Sequence, residues 1–475
     1  MNQPSLVPLY VDLDGTLTRS DVLIESMFAL LRLKPWLIFY FPAWLFRGRA
    51  YLKRQIAKRV DLDVSLLPLV RDFLDFLHAQ HSNGQRLILI TASDQKYADA
   101  VAEYFGIFDH AIGSDGASNL SGTRKLDRIL ADCGDNGFDY AGNSTDDLEI
   151  WPRARNAILV SPFQRTIEKA KKCAEVKQVF YTGPVSIRVV AKTLRIHQWL
   201  KNLLLFVPLV LSHKLGEVDL LVRVVAGFIS FGLCASSVYL LNDFLDLNHD
   251  RKHPTKRNRP LAGGTFPINM AVLLIPTLLI ASIVVGLLLP VKFLGILAIY
   301  YIITLFYSLW LKQVVLLDVL TLVTLYTIRL LAGGAAAGVL ISHWLLVFSL
   351  FFFLSIGMVK RYTELRALSL DKSHDGAGRG YRRDDIGLLT QLGTASGCVA
   401  VLVLAFYINS DQVRILYHRP EAIWMLCPLM LYWISRVWLL AYRGQMHEDP
   451  VLFVLHDRTS YGLIVMACFI LWAAA

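Results

Sequence analysis

Two regimes of apolar spacing divide this chain. Up to about Lys177, short apolar runs alternate with helix-like stretches, and LVPLYVDLDG (6–15) and RLILITAS (86–93) read as buried strands bounded by turn residues. FDYAG (138–142) and AILVS (157–161) read as two more. Strands alternating with helices predict a parallel sheet covered on both faces. Between the first two strands lies an insert, roughly Leu23–Gln80, containing KPWLIFYFPAWLFRGR. That run is too short to span a bilayer and is broken by Pro35 and Pro42. Its aromatic residues and the flanking Lys34, Arg47 and Arg49 suit a segment lying on the membrane surface, and equally a buried helical hairpin in a cap.

From about Leu200 the apolar runs lengthen. Stretches near 200–213, 220–241, 268–289, 291–310, 315–338, 342–359, 390–408, 421–441 and 460–474 approach the roughly 20 residues that a transmembrane helix needs, which predicts nine spans. Composition agrees: 55% of residues are hydrophobic and 18% charged, against about 25% charged in soluble domains, which excludes a disordered chain and a wholly soluble one. The opening MNQPSLVPLYVDLDGT has neither a basic n-region nor a long apolar core, so it reads as a cytoplasmic start and not a signal peptide. Six scattered cysteines without a CxxC pair argue against a zinc site and a disulfide framework.

Charge sharpens the division. Residues 1–185 carry 22 Lys+Arg and 22 Asp+Glu, whereas 186–475 carry 26 and 16, so the net +10 belongs to the apolar part. Anionic lipid, phosphate-rich substrates and topology signals account for such an excess; nucleic acid does not, because the charges are interleaved with membrane-length runs. With the N-terminus inside, nine spans place the loops near 246–266, 311–313, 360–389 and 442–459 in the cytoplasm, where they hold 15 Lys+Arg against four in the opposite loops.

The first strand ends in Asp12 and Asp14, two residues apart, followed by a tight turn at Gly15. This spacing points both carboxylates to one side at the carboxyl edge of the sheet, where α/β sheets place ligands. One can attack phosphorus while the other moves a proton, with Mg²⁺ and a lysine neutralising the charge. Thr91 ends a later strand, Lys125 follows a turn, and AGNSTDD supplies Asn143, Asp146 and Asp147. In that order the motifs resemble the haloacid dehalogenase phosphatase superfamily over about 170 residues. The resemblance implies Asp12 as nucleophile, Asp14 as general acid/base, Thr91 and Lys125 as phosphoryl ligands, and Mg²⁺ held by Asp12, Asp14, Asn143 and Asp147. Asn143 departs from the usual Asp, which shifts charge-based metal binding toward Asp147 or Asp146. The insert, about 22–80, takes the position of a substrate-selecting cap, and its greasiness suits a lipid-linked phosphate.

The second long run ends in NDFLDLNHD, where Asn242, Asp243, Asp246 and Asp250 take helical spacing. Three bare acids at a membrane boundary repel one another; divalent cations on a diphosphate relieve this. The adjoining RKHPTKRNR offers Arg251, Lys252, Lys256, Arg257 and Arg259 as phosphate ligands. This motif resembles the UbiA-type intramembrane prenyltransferase superfamily, and HPTKRNRP, LRIHQWLKN, YSLWLKQVVLLD and SIGMVKRYTELRAL resemble its polyprenyl-phosphate phosphoribosyltransferase branch, the decaprenyl-phosphate enzymes among them. The branch implies phosphoribosyl diphosphate as donor, polyprenyl phosphate as acceptor, and Asp243, Asp246 and Asp250 binding Mg²⁺ on the donor. Lys201 and Asn202 would reach the donor or the lipid phosphate. Tyr307, Lys312 and Asp318 flank the fourth and fifth spans, and Lys360, Arg361, Glu364, Tyr381, Arg382 and Arg383 occupy the loop after the sixth. Asp318 stands alone where many relatives carry a second acid pair. Arg329, within the fifth span, must pair or face a cavity.

The expected architecture is therefore an α/β Rossmann-like phosphatase domain with a helical cap (1–185), followed by an all-α, nine-span UbiA-type transmembrane domain (186–475). The expected protein is a multi-pass bacterial inner-membrane enzyme, Mg²⁺-dependent, with both active sites cytoplasmic. It would form a phosphoribosyl lipid and then dephosphorylate it; a homo-oligomer is compatible with the sequence. An aromatic-acceptor prenyltransferase and a non-enzymatic lipid-phosphate transporter or scaffold are the alternatives.

Overall fold

The computed structural model describes residues 7–134, 137–161, 163–370, 380–410, 413, 416–446, 450–454 and 456–474; Lys372 and Arg379, counted above among the loop charges, lie outside them. The chain forms two compact units. The first comprises the described residues up to Leu194 together with Tyr239–Ile275, and the second comprises Arg195–Val238 and the described residues from Pro276 onward.

The first unit is built on a six-stranded parallel sheet: β1 (Leu9–Val11), β2 (Leu87–Asp94), β3 (His110–Ser114), β4 (Asp139–Gly142), β5 (Ala157–Ser161) and β6 (Val176–Tyr181), in the order β3-β2-β1-β4-β5-β6. The period-two alternation of a strand sends Leu9, Val11 and Leu89 to one face with Phe73 and Leu77. Tyr10, Ile88 and Ile90 go to the other face with Tyr140, Leu159 and Trp151. β1 pairs with β2 on one side and β4 on the other, Leu9 lying opposite both Leu87 and Asp139. The connections run in opposite directions from there, the switch point at which such sheets open a crevice.

The helices of this unit are α1 (Val22–Leu33), α2 (Phe41–Phe46), α3 (Arg49–Ala57), α4 (Arg71–Ser82), α5 (Gln95–Phe105), α6 (Thr123–Cys133), α7 (Gln164–Cys173) and α8 (Ile187–Thr193). The insert leaves the sheet domain at Thr18, which bridges to Leu69, so α4 already belongs to the layer packed on the sheet. Within the insert, Leu30, Trp44, Leu52, Ile56 and Val60 form a small core of their own. Pro35 and Pro42 each stand in the first turn of a helical segment, where the missing N–H costs nothing. Outside that core, Phe39 and Phe46 are 82% and 95% exposed, with Trp36 and Leu33 beside them in sequence. The insert is thus a helical segment with a small core of its own and exposed aromatic residues between Leu33 and Phe46.

The remaining helices are α9 (Val207–Leu211), α10 (Val218–Leu245), α11 (Leu247–Lys252), α12 (Ile268–Gly286), α13 (Val291–Leu309), α14 (Leu317–Ala337), α15 (His343–Leu370), α16 (Ile386–Ile408), α17 (Leu426–Tyr442) and α18 (Arg458–Ala474). Among the described residues, seven helices are long and apolar enough to cross a membrane: Val218–Leu245, Ile268–Gly286, Val291–Leu309, Leu317–Ala337, His343–Ala367, Arg383–Ile408 and Pro420–Tyr442. This corrects the expected nine. The first expected span is a 3₁₀ run, Ile196–Phe206, leading into the five residues of α9, with Pro208 near its start. The last, α18, has 17 residues, about 26 Å at 1.5 Å per residue, short of the roughly 30 Å hydrocarbon core.

In the second unit, Val319, Val323 and Tyr326 of α14 pack with Phe353, Ile356 and Val359 of α15 and with Val437 and Trp438 of α17. Small residues let the 3₁₀ run approach closely. A Cβ on Gly333 would stand 2.1 Å from the Leu205 carbonyl oxygen, and one on Gly232 would stand 2.6 Å from the Trp199 ring.

Candidate active sites

The first site gathers where β1, β2 and β4 end. Asp12 is buried, and its Oδ1 accepts hydrogen bonds from the Leu13 amide (2.9 Å) and from Lys125 Nζ (2.8 Å). Asp14 accepts from the Val22 amide (2.8 Å), the Ser93 hydroxyl (2.7 Å) and, more loosely, the Thr91 hydroxyl (3.4 Å). Burial raises the Asp12 carboxyl to about 7, against the pull of Lys125, and raises Asp14 to about 6, with Asp21 adding to the shift. Burial disfavours the Lys125 ammonium too, but Asp12 and Asp147 outweigh it and the net shift is upward. Gly15 adopts φ 76°, and a Cβ there would meet the Asn143 amide nitrogen at 1.9 Å. Asn143 therefore lies directly against the Asp-x-Asp turn.

Asp147 is buried and locally committed: one oxygen accepts from Tyr140 (2.6 Å), the other from the Asn143 and Ser144 amides (both 2.9 Å). It shapes the loop that presents Asn143. Asp12, Asp14, Lys125, Asn143 and Asp147 line a cavity of about 720 Å³ that also includes Arg19, Asp146, Ser186 and Thr265. Two participants carry no motif signal. Ser93 contacts Asp14, and Lys53 of α3 donates to Asn119 Oδ1 (2.6 Å) and the Ala92 carbonyl (2.5 Å), its amine lowered by burial. Lys53 comes from the insert, and only folding brings it beside the β2 end.

The acidic motif forms a second cluster in the same unit. Its amides keep helical bonding through the junction of α10 and α11: Asp246 N to Asn242 O and Asp250 N to Asp246 O are both 2.9 Å. Seven residues along a helix return to within about 20° of the start, so Asp243 and Asp250 share a face while Asp246 stands about 60° away. Accordingly Arg259 Nη1 bonds both Asp250 and Asp243, the latter at 3.2 Å, and Asp246 pairs with Arg32 of α1 at 3.1 Å. Lys256 is half-buried and Arg257 exposed in the same loop.

Both clusters suit Mg²⁺. No group of three or more Asp, Glu, His or Cys side chains close enough to hold a metal occurs among the described residues. Mg²⁺, however, is ordinarily held by one or two carboxylates plus substrate phosphates and water. The guanidinium nitrogen between Asp243 and Asp250 marks a point that two carboxylates already share, and the Asn143 side chain lies against the Asp12–Asp14 turn with its amide nitrogen nearer Gly15 than its oxygen.

In the second unit, Asp318 opens α14, is fully buried, and accepts from Arg361, from the Tyr381 hydroxyl and from the Val319 amide (2.6 Å). Arg361 also pairs with Glu364 and donates to the Tyr307 hydroxyl at 3.2 Å. Five residues singled out from four separate stretches thus form one web. Arg329 donates to Asn202 Oδ1 (3.0 Å) and the Tyr300 hydroxyl (3.2 Å), with the Phe231, Tyr300 and Tyr326 rings around it. Lys201 Nζ lies 5.8 Å from the Tyr326 ring centroid. Lys312 and Lys360 are half-buried, and Arg382 and Arg383 are exposed before α16.

Comparison with known proteins bears on both halves. Residues 9–150 match the haloacid dehalogenase-like hydrolase family and residues 203–458 the UbiA prenyltransferase family. The uncharacterized protein y4nM of Sinorhizobium fredii is 35% identical over 470 residues, 98% of this chain and 91% of that protein. Decaprenyl-phosphate phosphoribosyltransferase of Mycolicibacterium smegmatis is 37% identical over 179 residues, 37% of this chain and 56% of the other. Among solved structures, a UbiA homolog from Archaeoglobus fulgidus bound to DMAPP and Mg²⁺ has a TM-score of 0.47 at 16% identity, covering 59% of this chain and 98% of its own. The chain belongs to the UbiA prenyltransferase family and carries a haloacid dehalogenase-like hydrolase domain at its N-terminus.

Proposed function

We propose that this multi-pass membrane enzyme performs two consecutive reactions on one lipid. A phosphate oxygen of polyprenyl phosphate attacks the anomeric carbon of phosphoribosyl diphosphate, the bond from that carbon to the diphosphate oxygen breaks, and diphosphate leaves. Asp12 then attacks the phosphorus of the ribose 5-phosphate, the bond to the ribose oxygen breaks, and Asp14 protonates that oxygen. Water hydrolyses the aspartyl-phosphate, with Asp14 taking its proton, to leave polyprenyl-phosphoryl ribose and inorganic phosphate.

Mg²⁺ would be held by Asp243, Asp246 and Asp250 at one site and by Asp12, Asp14 and Asn143, with Asp147 shaping the loop, at the other; when bound it neutralises phosphate charge. Arg259, Lys256 and Arg257 serve the donor's phosphates. Lys201, Asn202, Tyr307, Lys312, Lys360, Arg382 and Arg383 serve the donor or the lipid phosphate, and the web around Asp318 positions them. Lys125 and Thr91 hold the phosphoryl group at the hydrolytic site.

The observation that carries this reading is the pairing, in one chain, of an Asp12–Lys125 phosphatase-type site with two carboxylates converging beside a basic loop. Asp318 supports a phosphoribosyl donor over a prenyl diphosphate: it is already engaged by Arg361 and Tyr381, which fits one diphosphate and not two metal clusters. We place the protein in the bacterial inner membrane with both sites in the cytoplasm, a reading supported by the basic residues of the loops near 246–266 and 360–389.

Membranes containing the protein, given labelled phosphoribosyl diphosphate and polyprenyl phosphate, should make a ribosyl lipid. Asp12→Asn should stop at the phosphorylated intermediate, because an amide is a far poorer nucleophile. No labelled lipid from wild type would refute transfer. Full conversion by Asp12→Asn, with no other phosphatase present, would refute the hydrolytic step.

A further inference from the structure

The first compact unit is discontinuous: Tyr239–Ile275, which holds the acidic motif and its basic loop, folds with the hydrolase-type domain. The contact runs along α1, the first helix of the cap. Phe28 stacks on Phe244 with ring centroids 4.3 Å apart, directly after Asp243. One turn on, Arg32 Nη1 donates to the Leu245 carbonyl (3.0 Å) and pairs with Asp246 (3.1 Å). At the other end of α1, Glu25 takes both terminal nitrogens of Arg251, at 2.8 and 2.6 Å, with both side chains about 5% exposed. The Ser20 hydroxyl donates to the same carboxylate.

Arg251 does more than pair. Its Nε donates to the Ala262 carbonyl at 3.1 Å, closing the base of the loop that carries Lys256, Arg257 and Arg259. Arg259 in turn spans Asp243 and Asp250. A continuous series of contacts therefore leads from Glu25 through Arg251 and the loop base to the two convergent carboxylates, while Arg32 separately holds the third acid. A bidentate pair fixes a guanidinium in orientation as well as in place, and removing one partner of a buried pair leaves the other charge uncompensated.

We propose that α1 of the phosphatase-type cap is a positioning element of the transferase's diphosphate site, with Arg32 holding Asp246 and Glu25 setting the basic loop through Arg251. This deepens the proposed function and rests on it. The transferase is then complete only with the hydrolase cap in place, whether or not the hydrolase turns over.

The test uses the full-length protein in lipid nanodiscs, comparing wild type, Arg32→Ala, Glu25→Gln and the exchanged pair Glu25→Arg with Arg251→Glu. Three quantities are read: amide hydrogen exchange of residues 251–262, the KM for phosphoribosyl diphosphate in transfer, and turnover of para-nitrophenyl phosphate. Arg32→Ala should raise the donor KM about tenfold and leave para-nitrophenyl phosphate turnover within about twofold, which also reports that the domain is folded. Glu25→Gln, nearly isosteric, should speed exchange across 251–262 about tenfold, and the exchanged pair should recover a substantial part of that protection. Unchanged loop exchange in Glu25→Gln together with an unchanged donor KM in Arg32→Ala would overturn the proposal. A wild type that makes no ribosyl lipid would overturn the parent reading and the donor role of Arg32 with it, whereas the exchange arm still decides whether Glu25 sets the loop.

Discussion

At the residue scale, charge placement decides most of the chemistry. Asn143, expected from the motif order where Asp is usual, lies directly against Gly15. Asn143→Asp should therefore fit without repacking and lower the Mg²⁺ concentration for half-maximal phosphatase activity about tenfold, roughly 1.4 kcal/mol of added attraction; an unchanged Mg²⁺ titration would show that this side chain does not approach the metal. Asp318 poses the opposite problem. Asp318→Ala takes from the buried Arg361 guanidinium its fully buried partner, leaving only the more exposed Glu364, and should cost about 3 kcal/mol or more, whereas Tyr381→Phe removes one bond to a charged group and should cost about 1.5–3 kcal/mol. Unfolding in detergent would rank the two, and equal losses would contradict the web described here. Motif spacing pointed to Asp12 and Asp318 because each sits at the end of a readable strand or span, and to Lys125 because it follows a turn in the motif order. It could not point to Ser93, Lys53, Glu25 or Arg32, whose partners Asp14, Asn119, Arg251 and Asp246 lie between 66 and 226 residues away in the chain and meet them only after folding.

Among elements, the 3₁₀ run Ile196–Phe206 shows how hydropathy and geometry part company. Its composition suggests a span, but it is wound more tightly than an α-helix and buries Lys201, Asn202 and Leu205. Gly333→Ala should push it away from α14, since the added carbon would overlap the Leu205 carbonyl; a loss of about 1–3 kcal/mol is expected from such overpacking, read as a lower unfolding midpoint in detergent. The hydrolase-type domain and the Asp246 end of α10 are bonded within one unit, through Arg32 and Lys192. If α10 crosses a membrane, Lys214 and Lys256 flank that crossing. Cysteines introduced at Lys214 and at Lys256, in a background without the six native ones, should label from opposite faces of sealed vesicles; labelling from the same face would remove this crossing. Strand reading shows a similar limit. Four of the six strands stand out as apolar runs, whereas the two edge strands do not: β6 exposes Lys177, Gln178 and Tyr181, and β3 is only partly buried at His110 and Ala111 and contains Gly113. Partial burial erases the signal on which strand reading depends.

For the whole molecule, the consequence lies in the order of assembly. The linker near 185 looks in sequence like a place to divide the protein, but Tyr239–Ile275 belongs structurally with the residues before Leu194. A fragment beginning at residue 186 would carry Arg251 without Glu25, and should be recovered folded in lower yield than the full chain; equal yields and equal protease resistance would argue against such dependence. During synthesis the same discontinuity becomes a delay. The sheet and cap are complete when residue 194 has left the ribosome, but the helix that seals α1 arrives only after Arg195–Val238 has been made, several seconds later at about 5–20 residues per second. Throughout that interval Phe28, Glu25 and Arg32 of α1 lack Phe244, Arg251 and Asp246, while Leu30 already packs in the insert's own core. A nascent chain stalled before residue 239 would leave these three side chains without those partners, and release past residue 275 would supply them, so completion of the sheet-bearing unit waits on synthesis of the whole membrane-length helix α10.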